Sequence, residues 1–242
     1  RIVDEKAKIG YLAITNFQDH TVEDLNIAVK DLKKQEMKSL ILDLRFNPGG
    51  LLKVAIDVAD QFLEEGIIVS TKSRDVSQNV VYNANKHGSL QDYPLVILIN
   101  NGSASASEIV AGAIKDNKRG LLLGTKTFGK GSVQSLLPIE DGKSALKLTT
   151  ARYYTPSGVS IHGKGIETDI NVELTFDEMK ALHEHLAAIN VNIISEDKTP
   201  EDKTSENSNE DSALFDDYKD KQLQNAINIL KSADILIPSR KS

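Results

Sequence analysis

Along this chain the apolar residues fall into short continuous runs separated by stretches in which they recur at helical spacing. Ser39–Leu44 and Pro94–Ile99 are near-continuous apolar runs of strand length, the pattern of parallel strands buried on both faces. Lys8–Thr15 reads as another strand. Between it and Ser39, the residues Val22, Leu25, Ile27, Ala28, Val29 and Leu32 fit an amphipathic helix over Thr21–Gln35, opened by a capping pair at Thr21 and Asp24. Strand, helix and strand make a βαβ unit. Leu51–Leu63 resumes helical spacing through Val54, Ala55, Val58, Ala59 and Phe62. The fold class predicted is α/β.

Further strands are predicted at Gly66–Thr71, Asn79–Tyr82, Gly120–Gly124 and Ser132–Leu137, and Ser144–Thr150 alternates after an Asp141-Gly142 turn, which together predict a hairpin. The turn-rich stretches Arg152–Gly158 and Gly163–Ile166 are expected to line an edge of the core, and Thr175–Ile189 to form a helix. The domain reading is a catalytic core over residues 1–175, a helix packed on it over 176–194, a polar flexible linker over 195–212, and a C-terminal amphipathic helix and tail over 213–242. Ser195–Ser212 lacks Ile, Val, Leu and aromatics, which is why it reads as linker. Ala213–Ala233 regains helical spacing.

Composition changes this picture little but excludes several functions. With 40% apolar and 26% charged residues over 242 positions the chain can build a sizeable core. A net charge of −6 and no clustered basic run argue against nucleic acid as a partner. The absence of Cys excludes a thiol nucleophile, disulfides and a Cys-based zinc site. No apolar run reaches the roughly 18 residues of a spanning helix, and the first residues do not form a signal peptide. His183 and His185 flank Glu184 on different faces of a helix, not at the i, i+4 spacing of a zinc site; with His162 they are read as surface residues.

The candidate chemistry lies between Asn100 and Gln134. Ser105 stands at the predicted start of a helix with Glu108 three residues on, which by itself reads first as a helix N-cap in a capping box rather than as a nucleophile. A helix start also offers free N–H groups and positive dipole character where an oxyanion forms. Lys130, between two glycines with Phe128, Ser132, Val133 and Gln134 nearby, reads by itself as a solvated loop lysine or as a base. Lowering its pKa from about 10.4 by about 3 units would cost about 4 kcal/mol of differential solvation, which requires burial without a carboxylate. If Lys130–Gln134 is extended, Lys130, Ser132 and Gln134 share one face, so Gln134 could orient the amine without adding charge. The glycines of Asn47-Pro48-Gly49-Gly50 fit a tight strand-to-helix turn or a close backbone approach to a ligand.

Four motifs taken together remove the ambiguity. They are Leu42-Asp43-Leu44-Arg45-Phe46-Asn47-Pro48-Gly49-Gly50-Leu51, Asn101-Gly102-Ser103-Ala104-Ser105-Ala106-Ser107-Glu108-Ile109, Gly124–Gln134 and Thr150–Gly158. In order, content and spacing, residues from about Lys8 to Val172 resemble the catalytic core of the C-terminal processing peptidases, or tail-specific proteases, which use a Ser/Lys pair. The resemblance implies Ser105 as nucleophile, ahead of Ser103 and Ser107, Lys130 as general base and Gln134 as the residue that positions it. It implies an oxyanion hole from backbone N–H groups of Gly49 or Gly50 and of Ala106; Glu108 is read as helix capping or local hydrogen bonding. It implies a ClpP/crotonase-like core of stacked ββα units with a C-terminal helical extension, and no metal or organic cofactor.

The same resemblance implies a protein or peptide substrate with an apolar C-terminus, work outside the cytoplasm in the periplasm or cell envelope, and a homodimer joined through C-terminal helices. The family usually carries a PDZ domain before this core. None precedes Lys8, so the chain is expected to be a processed piece or a shortened member. Thr168 departs from the family's Gly-Ile-x-Pro-Asp pattern at a loop. Two rival functions are a crotonase-like acyl-CoA enzyme, which the Ser105/Lys130/Gln134 set speaks against, and a non-catalytic or PDZ-dependent binding module.

Overall fold

A computed structural model describes residues 1–85, 90, 92–139, 141, 143–196 and 219–236. The chain opens with β1 (Ile2–Asp4), β2 (Ile9–Ala13), α1 (Thr21–Lys34), β3 (Ser39–Asp43) and α2 (Leu52–Asp60). After β4 (Ile67–Ser73) and β5 (Val80–Asn83) come β6 (Leu95–Ile99), α3 (Ala106–Asp116) and β7 (Leu121–Gly124). Six strands form one sheet in the order β1-β2-β3-β6-β7 and then β10 (Ile170–Asn171). From β2 onward every neighbour is parallel.

Alternation along these strands explains why their apolar runs are continuous. Leu40, Leu42, Ile97 and Ile99 pack with α1, α2 and α3 on one face. Ile41, Val96, Leu98 and Leu123 point to the other face, against Ala226, Ile227 and Leu230 of α5 (Lys221–Leu236). Successive strand residues face opposite sides, so a sheet covered twice needs apolar residues at every position.

The second sheet has four antiparallel strands in the order β5-β4-β9-β8, with β8 (Ser132–Ile139) and β9 (Ser144–Tyr154) forming the hairpin. Arg152–Tyr154, expected in a turn-rich edge, are instead the end of β9, paired with Thr71 and its neighbours on β4. The signal that misled is Pro156-Ser157-Gly158: the strand runs to Tyr154, four residues past the expected end at Thr150, and stops just before this turn. The Thr21 cap also does not form. His20 holds the cap position, and Thr21 Oγ1 instead donates to the Asn16 carbonyl (3.2 Å) and accepts the Gln18 N–H (2.9 Å).

Helix α4 (Phe176–Glu196) runs past the expected end at Ile189 and takes in Ser195. The rest of the expected linker, residues 197–212, and residues 213–218 of the expected C-terminal helix lie outside the described residues. Among the described residues no helix is long and apolar enough to cross a membrane.

Candidate active site

The carboxyl ends of β3 and β6 carry two loops that lock together. Asn47, buried, donates from Nδ2 to the Ile14 carbonyl (2.6 Å) and accepts at Oδ1 the Gly49 N–H (2.8 Å). Its own carbonyl accepts the Ala104 N–H (2.9 Å) and the Ser107 hydroxyl (2.9 Å). Asn100 Oδ1 accepts the N–H groups of Phe46 and Gly102, both at 2.9 Å. The turn is thus fixed against the loop that leads into α3.

Close approach here depends on glycine. At Gly49 (φ +105°) an added Cβ would lie 2.6 Å from the Ala104 carbonyl oxygen and 2.8 Å from Ser105 Cβ, distances no side chain tolerates. Gly50 is held from the other side, where a Cβ would meet the Phe17 carbonyl oxygen at 2.1 Å. The resemblance left Gly49 and Gly50 as alternatives for the oxyanion donor. Gly49 N–H is already committed to Asn47, whereas the N–H groups of Gly50 and Ala106 donate to no other described residue.

The three serines of the motif occupy different situations. Ser103 is fully buried; its hydroxyl donates to the Leu44 carbonyl (2.7 Å) and accepts the Asn100 N–H (3.0 Å). Ser107, also fully buried, spends its hydroxyl on the Asn47 carbonyl. Ser105 is half-buried immediately before α3, with φ 57° and ψ −110°, a backbone region that costs a non-glycine residue about 1–3 kcal/mol. Ala106, the next residue, presents the first N–H of α3.

Glu108 does more than cap. It is fully buried, and its Oε2 accepts the Ser105 N–H (2.8 Å), the carboxylate half of the predicted capping box. The same oxygen accepts the Lys130 N–H (2.8 Å), while Oε1 accepts the Gly129 N–H (2.7 Å) and the Thr127 hydroxyl (2.6 Å). One carboxylate therefore ties the main chain at Ser105 to the main chain at Lys130. Sequence spacing pointed to the first contact only; the others arise from a loop 19 to 22 residues away.

The lysine loop is pinned on its other side as well. Gly129 accepts from Gly163 N–H (2.9 Å), Gly131 accepts from Tyr153 N–H (2.8 Å), and a Cβ on Gly131 would lie 2.2 Å from His162 N. The Lys130 side chain is not pinned. Lys130 and Gln134 are both exposed, and among the described residues neither Nζ nor the Gln134 amide has a hydrogen-bond partner. The expected burial of Lys130 is therefore absent, because the apolar neighbours that suggested it do not fold over it: Phe128 is itself 68% exposed. Lys130 also precedes β8, which starts at Ser132, so the extended stretch assumed from Lys130 to Gln134 is not continuous.

The histidines lie elsewhere. His162 and His183 are exposed, the latter with its ring 4.7 Å from Phe46, and His185 is half-buried, its pKa lowered by that burial. Among the described residues no group of His, Cys, Asp and Glu could hold a metal ion.

Residues 8–172 match the model of peptidase family S41. The chain is 51% identical over 175 residues to a carboxy-terminal-processing protease of Bartonella bacilliformis, covering 70% of this chain and 40% of that protein. It is 44% identical over 165 residues to the chloroplastic carboxyl-terminal-processing peptidase 3 of Arabidopsis thaliana, covering 68% of this chain and 31% of that one. The chain thus spans well under half the length of either relative. Among solved structures, the photosystem II D1 C-terminal processing protease superposes with a TM-score of 0.63 at 38% identity, covering 68% of this chain and 42% of that one. Since the matched residues make up over half the chain and include both loops and the Lys130 segment, this chain belongs to peptidase family S41.

Proposed function

We propose that this chain is the catalytic core of a serine endopeptidase that cleaves proteins near their C-termini. The observation that carries the reading is the buried Glu108 carboxylate, which binds the main-chain N–H groups of Ser105 and Lys130 with one oxygen. Ser105 Oγ attacks the scissile carbonyl, and Lys130 Nζ takes its proton and returns it to the leaving amine. The oxyanion is received by the N–H groups of Gly50 and Ala106, where α3 adds its positive end. Gln134 positions the amine. Because Lys130 is exposed, the substrate itself supplies the cover that desolvates the lysine.

The substrate is a protein with an apolar tail, encountered outside the cytoplasm, in the periplasm or cell envelope, by a homodimer. These readings rest on the likeness to C-terminal processing peptidases. The alternation of strands and helices from β2 to β7 likewise supports a ClpP/crotonase-like core.

Cleavage of an unfolded protein with an apolar C-terminus by this chain, by Ser105→Ala and by Lys130→Ala tests the assignment. Both variants should lose at least about 1,000-fold in kcat, the scale on which removing a triad member acts. Undiminished cleavage in either removes the pair. The exposed Lys130 amine, without a partner among the described residues, favours a second reading, a core that works only when a substrate-binding PDZ domain closes over it. No cleavage by the parent chain would support that reading.

A further inference from the structure

The helix α5 lies outside the residues that match the family, yet its first turn reaches the strand that carries the oxyanion turn. Arg45, next to Phe46, has a side chain with no exposure at all. Its Nε donates to both oxygens of Asp43 (3.0 Å each). Its Nη1 and Nη2 fork onto Asp220 at 3.0 and 2.7 Å, and Nη1 also donates to Gln222 Oε1 (3.1 Å). Asp43 is braced in turn by the Tyr11 hydroxyl (2.8 Å). Burial alone would depress the pKa of this guanidinium, but the two carboxylates outweigh that and raise it, so the arginine stays charged.

Asp220, just before α5, and Gln222, in its first turn, each have a second task. Asp220 caps the helix by accepting the Leu223 N–H (3.0 Å). Gln222, 1% exposed, donates from Nε2 to the Val172 carbonyl (2.7 Å), and a Cβ on Gly124 would lie 3.5 Å from that nitrogen. Gly124 ends β7, from which the chain leaves toward Lys130. A single side chain therefore spans from Arg45 to the root of the lysine loop.

We propose that the start of α5 is a positioning latch: Asp220 and Gln222 hold the Arg45 guanidinium, and with it the Phe46–Leu51 turn whose Gly50 N–H faces the oxyanion. Phe46 has φ 58°, a conformation disfavoured for a bulky side chain, so this turn needs support from its neighbours. Asp220 and Gln222 touch no reacting atom; they act through Arg45. The inference rests on the serine-peptidase reading only for its effect on catalysis.

The test combines amide hydrogen exchange with kinetics on the whole chain for Asp220→Ala, Gln222→Ala and the conservative Asp220→Glu. Asp220→Ala leaves Arg45 paired with Asp43, so no buried charge is orphaned, and Gln222→Ala keeps the helix cap. The expected result is exchange about tenfold faster at Phe46–Leu51 with β3 and β6 unchanged. It is joined by kcat about tenfold lower at a KM within twofold of the parent, with partial recovery in Asp220→Glu. Unchanged exchange at the turn overturns the latch, and so does faster exchange spread evenly over the sheet, which would mark a general loss of stability. Faster exchange at the turn with unchanged kcat overturns its catalytic part. If the parent cleaves nothing, the reading of this chain as a self-sufficient peptidase is what fails, and the exchange pattern still decides whether α5 holds the turn.

Discussion

Ser103 and Ser107 each place a hydroxyl on a carbonyl of the facing turn, whereas Ser105 sits between them on a strained backbone with its main-chain N–H on Glu108. The turn's geometry divides the roles, so a change to its shape should be felt at Ser105. Gly49→Ala is the sharpest such change, since the new Cβ would fall 2.8 Å from Ser105 Cβ on a backbone of φ +105°. The turn must retreat and carry the Gly50 N–H with it. Losing one oxyanion donor costs about 100- to 1,000-fold in kcat, and a drop of that size with the circular dichroism spectrum retained is expected. Activity within twofold of the parent would remove the turn from the chemistry. The motif singled out the turn and the serines, but not their division of labour. Whether Gly49 or Gly50 keeps a free N–H depends on where the Asn47 side chain points, and the fate of each hydroxyl depends on which carbonyl faces it. Local spacing holds neither fact. The exposure of Lys130 was not legible for a related reason: apolar neighbours in sequence need not be a cover in space.

At the level of elements, the parallel strands were readable because two-sided burial writes an unbroken apolar run, and α1 and α2 because one-sided burial writes a helical stripe. Boundaries were less readable where a polar residue serves another loop, as Thr21 does, or where a strand continues through mixed residues, as β9 does through Arg152–Tyr154. Tyr153 shows what that continuation buries. It is 6% exposed, and burial first, then the nearby Tyr82, pushes its pKa from 10.0 up to about 12. The folded state therefore holds this proton more tightly than the unfolded chain. Its contribution is fully present below pH 10 and is lost as pH rises from 10 to about 12. Two units correspond to about 2–3 kcal/mol. Urea unfolding across that window should show Tyr153→Phe losing less stability than the parent by about that amount. Parallel stability curves for the two proteins would refute the buried position.

For the whole molecule the question is what α5 covers. The sheet would show Ile41, Val96, Leu98 and Leu123 to solvent without Ala226, Ile227 and Leu230 over them, and an exposed apolar face of that kind drives association. Asp4 is tied to Lys231 of the same helix, and that hydrogen bond lowers the Asp4 pKa, but both groups are partly exposed and such pairs contribute little. Burial dominates. At about 1.5–3 kcal/mol for a large apolar side chain and about 0.8 per methylene-sized group, the three helix residues account for about 4–7 kcal/mol, against a total stability of about 5–15 kcal/mol for a typical domain. A chain ended after Lys219 should therefore unfold at much lower urea and form concentration-dependent aggregates. Asp220→Ala, which keeps the apolar cover, should lose far less. Equal destabilisation by both changes would mean that the Arg45 network, not the covered sheet face, holds the C-terminal helix in place. A truncated chain as stable and as soluble as the parent would mean that α5 does not protect the sheet in solution.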